Sequence, residues 1–316
     1  MGNSFENLAR MPDLGVTLGP LSLKNPVLVA AGTFGYGEEF EGFLDLSTLG
    51  GVIVKTLTLA PRAGNPAPRV VETPSGLLNA VGLQNVGIDA FLKEKWPRVR
   101  QCGAPVILSV AGFTHDEYVQ LVEKAEQSDA AAIELNLSCP NVEHGPGARC
   151  FAQSREETGK VVAAVRKKTR KPIFAKLSAE VSDLPEIAKA AMESGADALS
   201  LINTMPGMVL DVAHEKPVLS NKTGGLSGPA IRPIAVRCVW EVYRDVKCPI
   251  IGLGGIASGR DAMEFILAGA SAIAVGTASF WNPAASGIVL KELKKEIEKK
   301  GTDVKNLIGR AQGVAA

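Results

Sequence analysis

Short apolar runs alternate with amphipathic stretches along almost the whole chain, and this alternation predicts its secondary structure. The apolar runs are short and nearly continuous, which is typical of parallel strands buried on both faces. They predict strands at residues 27–31, 51–56, 105–110, 131–137, 172–177, 198–202, 249–253 and 272–275. The stretches between them predict helices that start at Thr114 and Ser154, and further helices at 184–194, 230–246, 258–268 and 284–300.

Eight strands that alternate with helices predict an α/β fold, a closed (β/α)8 TIM barrel rather than an open sheet. No linker-like segment divides the chain, so we expect one barrel domain over residues 1–316. Residues 16–23 are expected to form a small hairpin at the bottom of the barrel. Residues 57–86 and 204–228 are long loops at the carboxyl ends of strands, and we expect them to cover a pocket.

Composition narrows the class of protein. The chain has 316 residues, 46% of them hydrophobic, and a formal net charge of +1. Near-zero charge argues against a nucleic-acid-binding protein. Five cysteines without a CxxC pair argue against a disulfide framework or a zinc site, and the three histidines lack metal-ligand spacing. With neither a signal peptide nor a membrane span evident, we expect a cytoplasmic protein.

Polar residues gather where the predicted strands end. This set consists of Lys55, Asn136, Cys139, Lys176, Asn203 and Thr204. Barrel enzymes place their chemistry at this rim, so the cluster favours an active site over isolated surface lysines. The run Asn-Leu-Ser-Cys-Pro-Asn at 136–141 offers a thiol between amides, although a loop cysteine among turn-forming asparagines is the alternative. Without an evident histidine base, Cys139 is the strongest candidate for proton transfer.

Glycines follow the last two predicted strands. Gly254 and Gly255 precede a helix start at Ser258, and Gly276 stands one βα unit later. Backbone N–H groups at glycines can approach an anion closely, and barrels often bind phosphate after strands seven and eight. A third glycine segment at 224–229 could add to this site. Ordinary turn glycines are the alternative, and the Rossmann fingerprint GxGxxG is incomplete here.

Over nearly its whole length the chain resembles the soluble class of dihydroorotate dehydrogenases. Residues 136–141 resemble the catalytic loop of that family, and residues 79–85 resemble its substrate loop. Residues 31–35 and the pair Lys55-Thr56 resemble its flavin-contact segments. The membrane-bound class has a serine in place of Cys139 and an N-terminal anchor. The resemblance implies bound FMN and oxidation of dihydroorotate to orotate in pyrimidine biosynthesis.

The resemblance also implies roles for individual residues. Cys139 takes the position of the base that removes the C5 proton, while a hydride passes from C6 to flavin N5. Substrate contacts are implied for Lys55, Asn79, Ala80, Val81, Gly82, Leu83, Asn136, Asn141, Asn203 and Thr204. FMN contacts are implied for Ala31, Lys55, Thr56, Ser109, Asn136, Lys176, Ile202, Gly228, Gly254, Gly255, Gly276 and Thr277.

Residues 32–37 and 141–145 resemble the NAD-linked type within the soluble class. That type pairs its FMN subunit with a second subunit carrying FAD and a [2Fe–2S] cluster. This chain has neither a Rossmann fingerprint nor a cysteine cluster, so we expect a homodimer that joins such a subunit in a heterotetramer. Three departures concern flavin contact and loop motion: Ser109 replaces an expected asparagine, Ala31 replaces a common serine, and 145–150 replaces a glycine–phenylalanine segment.

Four other functions are alternatives. The chain could be a fumarate-linked homodimeric dihydroorotate dehydrogenase, or a flavin barrel similar to dihydropyrimidine dehydrogenase, which would turn over dihydrouracil. It could be a flavin-free isomerase or lyase, which would be colourless. It could also be a non-catalytic barrel subunit, in which Cys139 and Lys55 would be dispensable.

Overall fold

The structure is a computed structural model that describes residues 11–138 and 150–313. Its strands, in chain order, are β1 Val16–Leu18, β2 Leu21–Leu23, β3 Val27–Val29, β4 Gly51–Ile53, β5 Val70–Thr73, β6 Gly76–Asn79, β7 Val106–Val110, β8 Ala132–Asn136, β9 Ile173–Lys176, β10 Ala198–Leu201, β11 Met205–Met208, β12 Leu210–Asp211, β13 Lys216–Pro217, β14 Thr223–Ser227, β15 Ile250–Leu253 and β16 Ala272–Val275.

The helices of the described residues are α1 Ile88–Ala90, α2 Trp96–Val99, α3 His115–Glu126, α4 Arg155–Arg166, α5 Leu184–Glu193, α6 Arg232–Val246, α7 Gly259–Ala268, α8 Ala278–Trp281 and α9 Ala285–Lys299. A π-helical turn at Phe91–Lys95 joins α1 to α2. Short 3-10 helices lie at Glu38–Phe40, Leu46–Thr48, Phe151–Gln153, Pro229–Ile231, Val304–Asn306 and Arg310–Gly313.

Eight parallel strands close into a barrel, in the order β3, β4, β7, β8, β9, β10, β15, β16 and back to β3. The predicted TIM-barrel fold is therefore confirmed, and each predicted strand segment contains one barrel strand. Every residue of these eight strands is buried. This explains their continuous apolar sequence, since a parallel barrel strand faces the core on one side and the helices on the other.

The predicted helix starts are confirmed by their caps. The Thr114 hydroxyl accepts a hydrogen bond from the backbone N–H of Glu117, and Ser154 caps α4 in the same way through Glu157. The carboxylate of Glu117 does not return to Thr114 but accepts from the backbone N–H of Phe113 at 2.5 Å. The first cap is therefore one half of the expected capping box.

The first barrel strand departs from the expected alternation of strand and helix. After β3 the chain forms only the two short 3-10 helices Glu38–Phe40 and Leu46–Thr48 before it enters β4. Glycines with positive φ, among them Gly32 and Gly35, interrupt this stretch. Because glycine is costly inside a helix and readily adopts positive φ, this segment forms turns instead.

The two long loops contain strands that the sequence pattern did not indicate. β5 and β6 come from the first loop, β11 and β14 come from the second, and together they form an antiparallel sheet in the order β11-β14-β6-β5. The two loops are far apart in sequence, yet they pair directly at Gly225 and Asn79. Each loop therefore stabilises the other at the carboxyl end of the barrel.

The N-terminal hairpin is also present, formed by β1 and β2. Its turn residue Gly19 lies against Asp197, where an added Cβ would come within 2.7 Å of the Asp197 Cβ atom. Asp197 immediately precedes β10, so the hairpin lies at the amino-terminal end of the barrel, as expected. Within residues 11–138 and 150–313, no helix is long and apolar enough to cross a bilayer.

Candidate active site

A cavity opens at the carboxyl end of the barrel, between the strand ends and the sheet of β5, β6, β11 and β14. Most of the predicted ligand-binding residues line it: Ala31, Lys55, Thr56, Asn79, Val81, Gly82, Leu83, Asn136, Lys176, Ile202, Asn203, Thr204, Gly228, Gly254, Gly255, Gly276 and Thr277. The fold thus brings residues from all parts of the chain to one place. Their individual binding roles stay predictions.

One side of the cavity is basic. Lys55 follows β4, Lys176 ends β9, and the described lining residues include no aspartate or glutamate. Lys176 is only 5% exposed, and its ammonium group has no hydrogen bond or ion pair with any described residue. Lys176 lines the cavity, and its ammonium group retains access to the cavity's open space. A ligand with an acceptor or negative charge would satisfy it, so this side of the cavity is suited to an anionic or electron-rich ligand.

On the basic side of the cavity, hydrogen bonds from asparagine side chains hold the backbone in place. Asn203 donates to the backbone carbonyl of Ser138 at 2.9 Å, and its Nδ2 lies 3.1 Å from the Ser138 hydroxyl. The Oδ1 atom of Asn203 accepts from the backbone N–H of Thr204 at 2.8 Å. The Nδ2 atom of Asn136 donates to Thr56 Oγ1 at 3.3 Å. These bonds hold the end of β8, which leads directly into residue 139.

The opposite side of the cavity is formed by glycine backbone. Gly255 has φ +79°, and a Cβ atom there would lie 2.7 Å from the carbonyl oxygen of Gly228. The chain's own packing therefore requires glycine at this position. At Gly276 the nearest atom to an added Cβ is Ala30 Cβ at 3.6 Å, an ordinary contact. The protein could accommodate a side chain at Gly276, so the small residue there keeps backbone open to the cavity.

The antiparallel sheet contributes the covering surface. Asn79 ends β6, and its Nδ2 donates to the carbonyl of Gly225 on β14 at 3.3 Å. Val81, Gly82 and Leu83 follow and line the cavity. The expected covering role of the two long loops is supported by this arrangement, since both loops contribute lining residues.

Two predicted contact residues lie behind the cavity wall. Ala80 is fully buried, and its carbonyl accepts from Asn65 Nδ2 at 2.9 Å. Ser109 is also fully buried, and its hydroxyl bonds to Thr56 and Glu134. Neither lines the cavity, in contrast to the expectation. Backbone alternation accounts for Ala80, which lies between two lining neighbours and points the other way.

Cys139 and Asn141 lie outside the described residues, as does the segment 145–150 up to Arg149. Of the remaining thiols, burial raises the pKa of Cys238 to about 11 and that of Cys248 to about 12. Both are therefore structural core residues rather than nucleophiles. His214 is exposed, and its Nδ1 lies 2.7 Å from Asp211 Oδ2.

Comparison with known proteins identifies the family of this chain. The family model for dihydroorotate dehydrogenase matches residues 13–299. The chain belongs to the dihydroorotate dehydrogenase family. It is similar to proteins named dihydroorotate dehydrogenase B (NAD(+)), catalytic subunit. The one from Trichlorobacter lovleyi is 51% identical over 304 residues, covering 96% of this chain and 99% of the relative.

Two further relatives carry the same name. The Geobacter sulfurreducens protein is 51% identical over 300 residues, covering 94% of this chain and 98% of that protein. The Desulforudis audaxviator protein is 52% identical over 298 residues, covering 94% of this chain and 96% of that protein. The resemblance noted from the sequence motifs is thereby confirmed at the level of the family, and the chain is an oxidoreductase of that family.

The structure also adds residues that sequence reasoning missed. Leu77, Ser227, Ile231, Leu253 and Phe280 line the cavity. They are apolar or small, and only the pairing of the long loops brings Leu77 and Ser227 together. The sequence does contain a signal for one further residue, Glu134, because it is the only acidic residue within the buried strand β8. A charge inside a strand that is otherwise apolar is unusual, and it indicates a buried polar network.

Proposed function

We propose that this chain oxidises (S)-dihydroorotate to orotate in de novo pyrimidine biosynthesis, with FMN as its cofactor. The observation that carries the proposal is the cavity at the carboxyl end of the barrel. It joins a wall of glycine backbone to a wall of lysines and amides, within a member of the dihydroorotate dehydrogenase family. The first wall suits a phosphate, and the second suits a flat, anionic, amide-rich ring.

The residues present fit FMN. Gly254, Gly255, Gly276 and Thr277 would hold its phosphate through backbone N–H groups, and the open space at Gly276 supports this assignment. Lys176 would face the flavin ring, where an acceptor would satisfy its unpaired ammonium group. When bound, FMN supplies the acceptor for the hydride from substrate C6.

The remaining lining groups fit the substrate. Asn79, Asn136 and Asn203 offer donors and acceptors for the two amide edges of the dihydroorotate ring. Lys55 would stabilise the negative charge of the carboxylate and the charge that develops in the transition state. Asn141, known here from the sequence alone, would complete this set.

Cys139 is proposed as the base that removes the C5 proton. It follows Ser138, whose carbonyl and hydroxyl are bound by Asn203 at the cavity rim. A thiol with a reference pKa of about 8.5 is a suitable base when its site favours the thiolate. The hydrogen bonds from Asn203 to Ser138 would hold the backbone just before Cys139 in a fixed position relative to the substrate ring.

Electrons are proposed to leave through a partner subunit that carries FAD and a [2Fe–2S] cluster and reduces NAD. The relatives named above are catalytic subunits of an NAD(+) enzyme, which supports a partner of this kind. We further propose a cytoplasmic homodimer of this chain that associates with two such subunits.

Purification of the native complex followed by kinetics on the separated chain tests this proposal. The chain alone should be yellow, release FMN on denaturation, and reduce artificial dyes with dihydroorotate but not NAD. Adding the partner should restore NAD reduction. A colourless chain, or turnover of dihydrouracil in place of dihydroorotate, would overturn the assignment. Efficient fumarate reduction by the chain alone would instead assign it to the fumarate-linked homodimeric type.

A further inference from the structure

A carboxylate is buried inside the barrel, directly beneath the cavity. Glu134 lies on β8 two residues before Asn136, so both side chains point to the same face of the strand. Glu134 is 1% exposed and has no ion pair with a described residue. Barrel interiors are normally filled by branched apolar residues, and a buried carboxylate must have its oxygens satisfied. Its presence here calls for a specific explanation.

Two buried serines satisfy this carboxylate from neighbouring strands. Ser109 on β7 donates to Glu134 Oε1 at 3.0 Å, and Ser200 on β10 donates to Oε2 at 2.8 Å. Both serines are fully buried. A serine hydroxyl has one hydrogen, and a carboxylate can only accept. Ser109 and Ser200 have therefore committed their only hydrogens to Glu134.

The bond to Ser109 determines the direction of the next two hydrogen bonds. The Thr56 and Ser109 hydroxyl oxygens are 2.9 Å apart, and Ser109 has no hydrogen left to give. Thr56 must donate to Ser109, which leaves Thr56 Oγ1 as an acceptor. Asn136 therefore turns its NH2 group toward Thr56, at 3.3 Å. The chain of donors runs one way, from Asn136 through Thr56 and Ser109 to Glu134.

This direction fixes the amide of Asn136, which could otherwise lie in either of two orientations. Its Oδ1 atom is placed toward Ser138, whose hydroxyl lies 3.4 Å away. The backbone carbonyl of Asn136 is held separately, by the buried Tyr118 hydroxyl at 2.7 Å. Since Asn136 and Thr56 line the cavity, the orientation determines which part of the wall donates and which part accepts.

We propose that Glu134 is a positioning residue: acting through Ser109 and Thr56, it locks the Asn136 amide so that its NH2 lies on the Thr56 side and its oxygen lies on the Ser138 side. The ligand that reads this pattern is the dihydroorotate or orotate ring, and that part rests on the proposed function. A ring bound here places an acceptor toward Thr56 and a donor toward Ser138.

Two matched substitutions separate positioning from simple packing. Ser109→Ala and Ser200→Ala each remove one fully buried hydroxyl donor to the same carboxylate, so both should lower the melting temperature to a similar extent. Only Ser109→Ala releases the Thr56 hydroxyl, which can then either accept from the Asn136 NH2 group or donate to the Asn136 amide oxygen. We expect the dissociation constant of orotate, followed by the visible flavin spectrum, to rise about tenfold in Ser109→Ala and to change less than about twofold in Ser200→Ala. Equal effects on orotate binding in the two variants would overturn the proposal.

A double-mutant cycle sharpens the test. Thr56→Val keeps the shape of the side chain and removes the hydroxyl, which breaks the chain at its centre. Adding Ser109→Ala to Thr56→Val should weaken orotate binding no further, whereas adding Ser200→Ala should produce only its own small effect. Additive losses for Thr56 and Ser109 would contradict a connected chain.

A ligand-free measurement keeps the proposal independent of the substrate assignment. In protein labelled with ¹⁵N-asparagine, the resonance missing from Asn136→Asp identifies the Asn136 side-chain NH2 group. Solvent exchange of these hydrogens should be roughly tenfold faster in Ser109→Ala than in wild type or Ser200→Ala. Unchanged exchange in Ser109→Ala would refute the locking of the amide. Failure of the wild-type protein to bind orotate would refute the proposed function alone.

Discussion

On the side of β15 and β16 the cavity is lined by backbone at Gly255 and Gly276, whereas on the side of β4, β8 and β9 it is lined by the side chains of Lys55, Asn136 and Lys176. In the glycine wall, close packing and a positive φ require glycine at position 255, whereas the space beside Gly276 is left open by the protein. The side-chain wall owes its shape to hydrogen bonds that reach into the barrel. The comparison indicates that rigid backbone suits a constant group such as phosphate, and that oriented side chains suit a ring on which charge and protons move.

The largest effect should come from replacement of the proposed base, Cys139. Cys139→Ala should slow flavin reduction by dihydroorotate by roughly 10²–10⁴-fold, the usual contribution of a general base, with flavin content unchanged. Stopped-flow absorbance measures this rate. Cys139→Ser should keep some activity that increases with pH, because a hydroxyl is harder to ionise than a thiol. A wild-type rate in Cys139→Ala would show that the base lies elsewhere.

A smaller effect is expected from the unpaired lysine of the side-chain wall. Lys176→Met should weaken FMN binding by about 10- to 100-fold, because a charge-assisted hydrogen bond contributes about 1.5–3 kcal/mol. It should also raise the melting temperature of the flavin-free protein, since it replaces a charged side chain that is only 5% exposed by an apolar one. Fluorescence titration and calorimetry measure the two changes. Lys167→Met, at an exposed lysine, is the control, and equal FMN affinity in both variants would contradict the role of Lys176.

Two matched substitutions in the glycine wall separate a glycine needed for folding from one expected to be needed for FMN binding. Gly255→Ala should destabilise the fold by about 1–3 kcal/mol, because φ is +79° and the Cβ atom would meet Gly228. Gly276→Ala should leave the fold intact and weaken FMN binding by about tenfold, because its methyl group would occupy space that the protein leaves open. Denaturation curves and flavin titration separate these outcomes. Tight FMN binding by Gly276→Ala would argue against backbone recognition at that position.

The smallest effect concerns two buried core thiols, Cys238 and Cys248. Since burial raises the pKa of Cys238 to about 11 and that of Cys248 to about 12, their thiolate fraction at pH 8 is about one in a thousand or less. A raised pKa keeps a thiol protonated, so alkylation should become appreciable only as the pH approaches these values. Mass spectrometry of native protein treated with iodoacetamide at pH 8 should find both unmodified. Rapid labelling of either thiol would contradict their assignment to the core.

Much of the fold was predictable from local pattern. The barrel strands are buried on both sides, and this environment leaves a continuous apolar signature that marks β7 and β8 clearly. The caps at Thr114 and Ser154 were equally local. The helix expected after β3 was not found, because glycines in that segment favour turns.

The candidate site was predictable only in part. Polar residues at strand ends, such as Lys55 and Lys176, could be assigned to one rim because all barrel strands run in the same direction. The pairing of Asn79 with Gly225 could not be predicted, since it joins segments far apart in sequence and has no local signature. Ser109 was expected to touch the cofactor, and only the barrel packing shows that its hydroxyl is bonded to Glu134 and Thr56.

The sequence by itself determined the order of the eight barrel strands and of most of the helices between them. It also determined the glycine and lysine positions at the rim and membership of a family with a characteristic catalytic loop. Hydrophobic periodicity and sequence motifs depend on residues close together in the chain, so they can be recognised without the tertiary structure. The tertiary structure decided which residues share a wall, which lie behind it, and in which direction the hydrogen bonds from Asn136 to Glu134 run. Such directions depend on how many hydrogens each buried group can give, and that count can be made only once the barrel has brought the groups together.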